Sequence, residues 1–326
     1  MISTANTFLV LISNVPKKLI PIYALVVLSL GLAIYAVIKT SPSTTSFLNP
    51  VASEGVLQSM PRPSRDSLML FDIPSKLSFA GEEVPLNIPD VKERLEREIY
   101  VNAYWQSNMI LLMKRSSKFL PEIEEILKEN GVPDDFKYLA MAESGLMNVA
   151  SPAGAKGFWQ FLSSTGKEYG LEISKDVDER YHLQKATVAA SKYLKKAHQK
   201  FGDWTAVAAS YNMGQTGFAR RQTEQLQQNY YDLYLNDETS RYMFRILAFK
   251  VVFENPGEFG FHLRASDFYQ TPEMKTVSVS SDIKNLASWA KNEGSSYKEL
   301  KLYNPWLRDK NLNVKRGKSY EIILPK

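Results

Sequence analysis

Lys137-Tyr138-Leu139-Ala140-Met141-Ala142-Glu143-Ser144-Gly145-Leu146-Met147-Asn148-Val149-Ala150-Ser151-Pro152-Ala153-Gly154-Ala155-Lys156 holds one charge, Glu143, between its two terminal lysines. A lone carboxylate in an apolar run is disfavoured as an anion, so its pKa is expected to rise. A carboxylic acid that keeps its proton near neutral pH can hand it to a leaving group. The preceding Asn130-Gly131-Val132-Pro133-Asp134-Asp135 reads as a helix start. Pro133 fits the first helical position, and Asp134 and Asp135 favour the positive end of the helix dipole. Phe136, Leu139, Ala140 and Glu143 then share one helical face, and Gly145 ends the helix. The negative helix end disfavours the carboxylate anion in the same sense as burial. The competing reading is a buried glutamate paired with Arg or Lys in a purely structural role.

Outward from this helix, the apolar residues keep a helical period from Val91 to Asn255. Ile99 to Met113 forms a long amphipathic run containing Trp105, and Leu120 to Leu127 a second that stops at Gly131. Ala186 to Phe201 and Trp204 to Tyr211 read as helices broken by Gly202-Asp203, and Asp237 to Phe253 as another, ended by Asn255-Pro256-Gly257. Nothing in this region alternates well enough for a long strand. After Thr271-Pro272 the pattern changes. Lys275–Val279 and Ser319–Leu324 are strand candidates, with Ile283–Lys291 and Tyr297–Tyr303 helical between them. The expected fold class is mainly α: a helical domain over 91–265 and a small α+β module of β-α-α-β order over 271–326.

Leu19 to Ile38 is uncharged over twenty residues, enough to cross a bilayer as a helix. Lys17 and Lys18 precede it, which by the positive-inside tendency puts residues 1–18 in the cytoplasm and the rest outside. A transmembrane helix over 19–39, retained as an anchor in the inner (cytoplasmic) membrane, is favoured over a cleaved signal peptide because the apolar core is long. Residues 40–90, rich in Pro, Ser and Thr, read as a linker with short ordered pieces near Leu68–Phe71.

The 326 residues exceed the needs of one ordinary domain. Zero cysteines exclude a disulfide framework and cysteine-ligated zinc. His182, His198 and His262 are too widely spaced to form a ligand cluster, so neither a metal nor another cofactor is expected. There is no glycine-rich phosphate loop and no ordered nucleic-acid motif. The formal net charge is +5, and the basic excess sits in residues 275–326, which hold eleven Lys/Arg against five Asp/Glu. Such a module suits an anionic polymer such as cell wall.

Four motifs in order give the helical region a resemblance. Tyr138 to Gly145 with Ser151-Pro152-Ala153-Gly154-Ala155-Lys156-Gly157-Phe158-Trp159-Gln160-Phe161 comes first, and Asp178-Glu179-Arg180 second. Ala209-Ser210-Tyr211-Asn212-Met213-Gly214 and Glu238-Thr239-Ser240-Arg241-Tyr242 follow. Together they resemble the catalytic core of lytic transglycosylases with the goose-lysozyme-like fold. Ser210 stands where that family usually has Ala, and Ser240-Arg241 inverts its Arg-first order. Residues 275–326 resemble, more weakly, a lysin-motif (LysM) domain through Leu300-Lys301-Leu302-Tyr303-Asn304-Pro305-Trp306-Leu307 and Gly317–Pro325. Ser280-Ser281-Asp282-Ile283 replaces that domain's usual Gly-Asp-Thr-Leu.

The resemblance implies a lysozyme-like domain acting on peptidoglycan glycan strands. Glu143 would protonate the glycosidic oxygen at N-acetylmuramic acid, then take the proton of that sugar's 6-hydroxyl, giving a 1,6-anhydro end. One carboxylate suffices for this, whereas ordinary glycosidases need two. No second carboxylate stands in a comparable apolar context: Glu168, Asp176 and Asp178 lie in polar stretches. The implied substrate-binding residues are Ser144, Gln160, Tyr211, Asn212 and Tyr242, the last tuning the proton affinity of Glu143. Read alone, Ser144 is a helix cap, Gln160 a partner for buried backbone, Tyr211 and Tyr242 packing residues, and Asn212 a turn residue. A hydrolytic muramidase and a non-catalytic wall-binding protein are the alternatives.

Overall fold

Two short strands, β1 (Ser78–Phe79) and β2 (Glu82–Glu83), open the part of the chain that the computed structural model describes, residues 69–326. Eight helices follow: α1 (Pro89–Tyr104), α2 (Gln106–Glu129), α3 (Phe136–Ser144), α4 (Ser163–Glu168), α5 (Leu183–Phe201), α6 (Trp204–Met213), α7 (Gln215–Gln225) and α8 (Asp237–Glu254). Then come β3 (Met274–Val279), α9 (Leu286–Asn292), α10 (Tyr297–Tyr303) and β4 (Tyr320–Pro325). β3 and β4 pair antiparallel, with Met274 opposite Pro325 and Val279 opposite Tyr320. The expected β-α-α-β order is present.

α8 is the spine of the helical domain. Met243, Phe244, Leu247, Ala248 and Val252 are buried, so apolar surface covers most of its circumference. α1, α3 and α6 pack against it. Asn236 caps its first turn by accepting the Thr239 N–H at 2.8 Å. α3 buries Phe136, Leu139 and Ala140 as its period requires, and ends at Gly145 in the left-handed conformation, φ 59°.

Four departures from the sequence pattern have physical reasons. The amphipathic run expected over Ile99–Met113 breaks at Trp105 (φ −82°, ψ 58°), and α2 then runs through Pro121 without stopping. Apolar periodicity continues on both sides of the break, so the pattern hides it. Secondly, α3 begins at Phe136, because Pro133, Asp134 and Asp135 form a tight turn whose carbonyls accept the N–H groups of Phe136, Lys137 and Tyr138. Asp135 turns its carboxylate to Lys250 Nζ (2.7 and 2.8 Å) and the Ala80 N–H (2.6 Å), tying α3 to α8 and the β1–β2 hairpin. The third concerns residues 69–88, expected within the linker, which pack on the domain. Phe71, Phe79 and Val84 are buried, and Phe79 meets Phe136 edge-on at 5.2 Å. Glu82 accepts the Trp204 and Thr205 N–H groups (2.6 and 2.8 Å), capping α6. Leu70 and Met69 stay exposed, so the segment is held by a few of its apolar residues rather than by a continuous face. Fourthly, the C-terminal module is joined to the helical domain: Val177 and Tyr181 belong to the same apolar core as Trp306, Leu307 and Tyr320.

Leu19–Ile38, where a membrane helix is expected, lies outside the described residues, as does most of the linker. Among the described residues no helix is long and apolar enough to cross a membrane.

Candidate active site

A cleft of about 760 Å³ opens where the end of α3, the loop after it, the end of α6 and the start of α8 converge. Glu143 lines it from the last turn of α3. The position follows from the helix: α3 buries Phe136, Tyr138, Leu139, Ala140 and Met141, and its one carboxylate is left at the open end. Glu143 is half-buried and faces the cleft. Burial pushes its pKa up to about 7, against the Tyr242 hydroxyl and Arg245, which pull it down. Glu238 adds a smaller push upward.

Tyr242 donates its hydroxyl to Glu143 Oε1. It lies on α8, and Glu238, Tyr242 and Arg245 all line the cleft at spacings of four and three residues, one face of the helix. Desolvation holds the Tyr242 hydroxyl well above its usual pKa, so it stays a donor. Tyr211 and Asn212 come from the last turn of α6. Tyr211 lines the cleft and donates its hydroxyl to the Trp159 carbonyl at 2.6 Å. Asn212 accepts the Thr239 hydroxyl at 2.8 Å and donates to Glu238 Oε1 at 3.5 Å, fixing α6 against α8 at the cleft floor.

Gln160 also lines the cleft, in a left-handed conformation (φ 46°) that non-glycine residues adopt rarely. Its Nε2 donates to the Val149 and Gly157 carbonyls (3.2 and 2.7 Å), so it satisfies backbone as well as facing the cavity. Ser144 is placed elsewhere. It is buried, does not line the cleft, and donates to the Ala140 carbonyl one turn back at 3.1 Å. The structure thus brings Glu143, Gln160, Tyr211, Asn212 and Tyr242 together and leaves Ser144 as a side chain folded onto its own helix.

Cleft residues given no role in the sequence include Leu162, Thr165, Tyr193, Glu238 and Arg245. The last two were within reach, because any residue four before or three after Tyr242 shares its face. Glu238 is a second carboxylate in the same cleft, but it is exposed to solvent and so not in an apolar context comparable to that of Glu143. Arg241, which precedes Tyr242 in the motif, points away and pairs with the buried Glu98 at 2.7 Å. Among the described residues no group of three His, Asp or Glu is arranged to hold a metal ion.

Residues 121–233 match the Transglycosylase SLT domain, and residues 275–326 the soluble lytic transglycosylase C-terminal LysM-like domain. Two curated relatives, each a "Membrane-bound lytic murein transglycosylase D", from Escherichia coli K12 and from Escherichia coli O6:H1, are 26% identical to the chain over 262 residues. That match covers 76% of this chain and 55% of theirs, so the chain spans about half the length of these relatives. An X-ray structure of an inactive mutant of lytic transglycosylase Slt from Pseudomonas aeruginosa overlaps it with a TM-score of 0.35 at 15% identity, over 51% of this chain and 30% of the other. The chain carries a Transglycosylase SLT domain with a LysM-like domain of the soluble lytic transglycosylase C-terminal type behind it.

Proposed function

We propose that this protein is a peptidoglycan lytic transglycosylase that cleaves the β-1,4 bond between N-acetylmuramic acid and N-acetylglucosamine and leaves a 1,6-anhydro end. The observation that carries the reading is the Glu143 carboxyl, raised to about 7 by burial at the floor of an open cleft. Near neutral pH much of it is protonated. In the first step its proton passes to the glycosidic oxygen as the bond from C1 breaks, and the N-acetylglucosamine side leaves as an alcohol. The acetamido group of the muramic sugar stabilises the electron-poor C1. Glu143, now the anion, accepts the proton of the 6-hydroxyl as that oxygen bonds to C1, and the acid is regenerated. No water is consumed. Tyr242, donating to the carboxylate, stabilises the intermediate anion and orients it.

Two features favour a place on the outer face of the inner membrane. Leu19–Ile38 is long and apolar enough for an anchor, and the curated relatives are described as membrane-bound. A glycan-binding role for the basic C-terminal module fits its charge.

Glu238 in the cleft supports one second reading, a muramidase in which an exposed carboxylate activates water. Mass analysis of muropeptides released from purified sacculi separates the two. A lytic transglycosylase gives ends one water lighter than reducing ends; hydrolysis gives reducing ends only. Glu143→Gln is expected to abolish release in either case. Equal clearing of sacculi by wild type and this variant would remove Glu143 as the acid.

A further inference from the structure

The rear of the cleft wall is fastened to the C-terminal module. Ser151, Pro152, Ala153 and Ala155 line the cleft from a turn in which the Ser151 N–H donates to the Ala155 carbonyl (2.9 Å) and the Lys156 N–H to the Phe161 carbonyl (3.1 Å). Behind that turn stands Arg180. Its Nη1 donates to the Gly154 and Phe161 carbonyls at 3.1 and 3.2 Å. Its Nε and Nη2 grip the two Asp178 oxygens at 2.9 and 2.7 Å. Arg180 and Asp178 are each 4% exposed, so the fork is locked in one geometry.

Asp178 is in turn held from the far side. Its N–H donates to the Trp306 carbonyl at 2.9 Å, and the Arg308 N–H donates to the Asp176 carbonyl at 2.7 Å. Val177 therefore pairs antiparallel with Leu307. Asn313 donates its backbone N–H (3.3 Å) and its side-chain amide to Asp176 Oδ2. Lys318 and the Tyr320 hydroxyl (2.8 Å) reach Glu172. The His182 ring lies against Trp306 at 5.6 Å. A continuous relay of hydrogen bonds and packed rings runs from the module through residues 176–180 to the cleft wall.

We propose that the C-terminal module is a buttress of the substrate cleft: through Asp176, Asp178 and Arg180, acting as positioning residues, it holds the 151–161 wall in its substrate-binding shape. The idea rests on reading the cleft as the glycan site. A wall released from its brace spends less time in the shape that holds the sugar, and binding lost equally from ground and transition states raises KM without lowering kcat. Since Glu143 sits on α3, outside the relay, substrate affinity is the quantity that depends on the seam.

The test uses the full-length chain with Asn313→Ala and Lys318→Ala combined, both on the module side and away from the cleft. On a soluble tetrasaccharide of alternating N-acetylglucosamine and N-acetylmuramic acid, KM is expected to rise about tenfold, with kcat and the pH profile of kcat unchanged. Hydrogen exchange of the 151–161 amides should quicken while that of α8 stays as in wild type. Asn313→Ala alone should give a smaller effect in the same direction. Unchanged KM and unchanged exchange at 151–161, with or without weaker retention on sacculi, would overturn the proposal; the case with weaker retention would make the module a glycan-binding arm. A fall in kcat with faster exchange throughout would also overturn it, as plain loss of stability. If the wild-type chain turns over no glycan, the cleavage reading fails, while exchange at 151–161 still decides whether the seam braces the wall.

Discussion

Glu143 is held between opposing influences: burial raises its proton affinity, and the Tyr242 hydroxyl and Arg245 lower it. A general acid must be protonated, so activity should fall as pH rises through about 7. Tyr242 donates to the anion and thereby favours deprotonation. Tyr242→Phe removes that donor and should raise the Glu143 pKa further, shifting the basic limb of the kcat/KM profile to higher pH by about one unit. At the same time the maximal rate should drop, because the carboxylate formed in the first step loses its partner. A limb that stays in place, or moves to lower pH, would mean that the hydroxyl is not bonded to the carboxylate in the working enzyme. This residue was legible in the sequence because desolvation follows from its neighbours on one helix: nothing charged stands between Lys137 and Lys156. Of the two groups that lower its pKa, Tyr242 was reached through the resemblance and Arg245 was not. Arg245 acts across the cleft from another helix, and only the folded chain brings it there.

At the scale of elements, helices are set by periodicity while the cleft wall is set by tertiary contacts. Two glycines in the wall show the difference. Gly154 and Gly157 both have positive φ, 82° and 80°. A Cβ on Gly154 meets nothing within 4 Å, whereas a Cβ on Gly157 would lie 1.8 Å from the Arg180 carbonyl oxygen. Gly154→Ala should therefore cost only the left-handed strain, about 1 kcal/mol. Gly157→Ala must push the wall off the Arg180 turn and should cost about 3 kcal/mol or more, with a large loss of activity. Denaturant midpoints of the two variants check the contrast, and similar losses for both would contradict the close approach.

The same difference decides what could be read beforehand. α5, α6 and α8 follow their apolar periods, so their existence and near-correct limits were evident. The turn at Trp105 was hidden by apolar residues continuing on both sides, and the 69–88 segment by the Pro- and Ser-rich stretch that precedes it. Its order comes from single anchors such as Phe79 in the core and Glu82 on the α6 N-terminus. The resemblance implied a binding role for Ser144, but neighbours on a helix diverge by about 100°, and its hydroxyl donates to the Ala140 carbonyl one turn back.

For the whole molecule, the decisive feature is that two sequence regions with separate signatures share a core. Val177 and Tyr181 of the SLT region are buried among Trp306, Leu307 and Tyr320 of the LysM-like region. Residues 69–326 accordingly form one compact unit. If that core were lost, the module would retain a two-stranded sheet and two seven-residue helices, below the size that usually folds without a staple. The helical domain would in turn expose Val177 and Tyr181 and leave the buried Asp178–Arg180 pair open on one side. Removal of one partner from such a pair typically costs about 3–5 kcal/mol, so its surroundings weigh heavily on stability. Each region thus depends on the other, and melting of the module alone is disfavoured. Calorimetry of the full-length chain should show a single endotherm for residues 69–326, with a ratio of calorimetric to van't Hoff enthalpy of about 1. Substitution of Trp306 by Ala should lower the temperature of that one transition. If the trace instead splits, with a small early endotherm that the variant removes while the main one stays in place, the two regions are independent and the shared core contributes little to their cohesion.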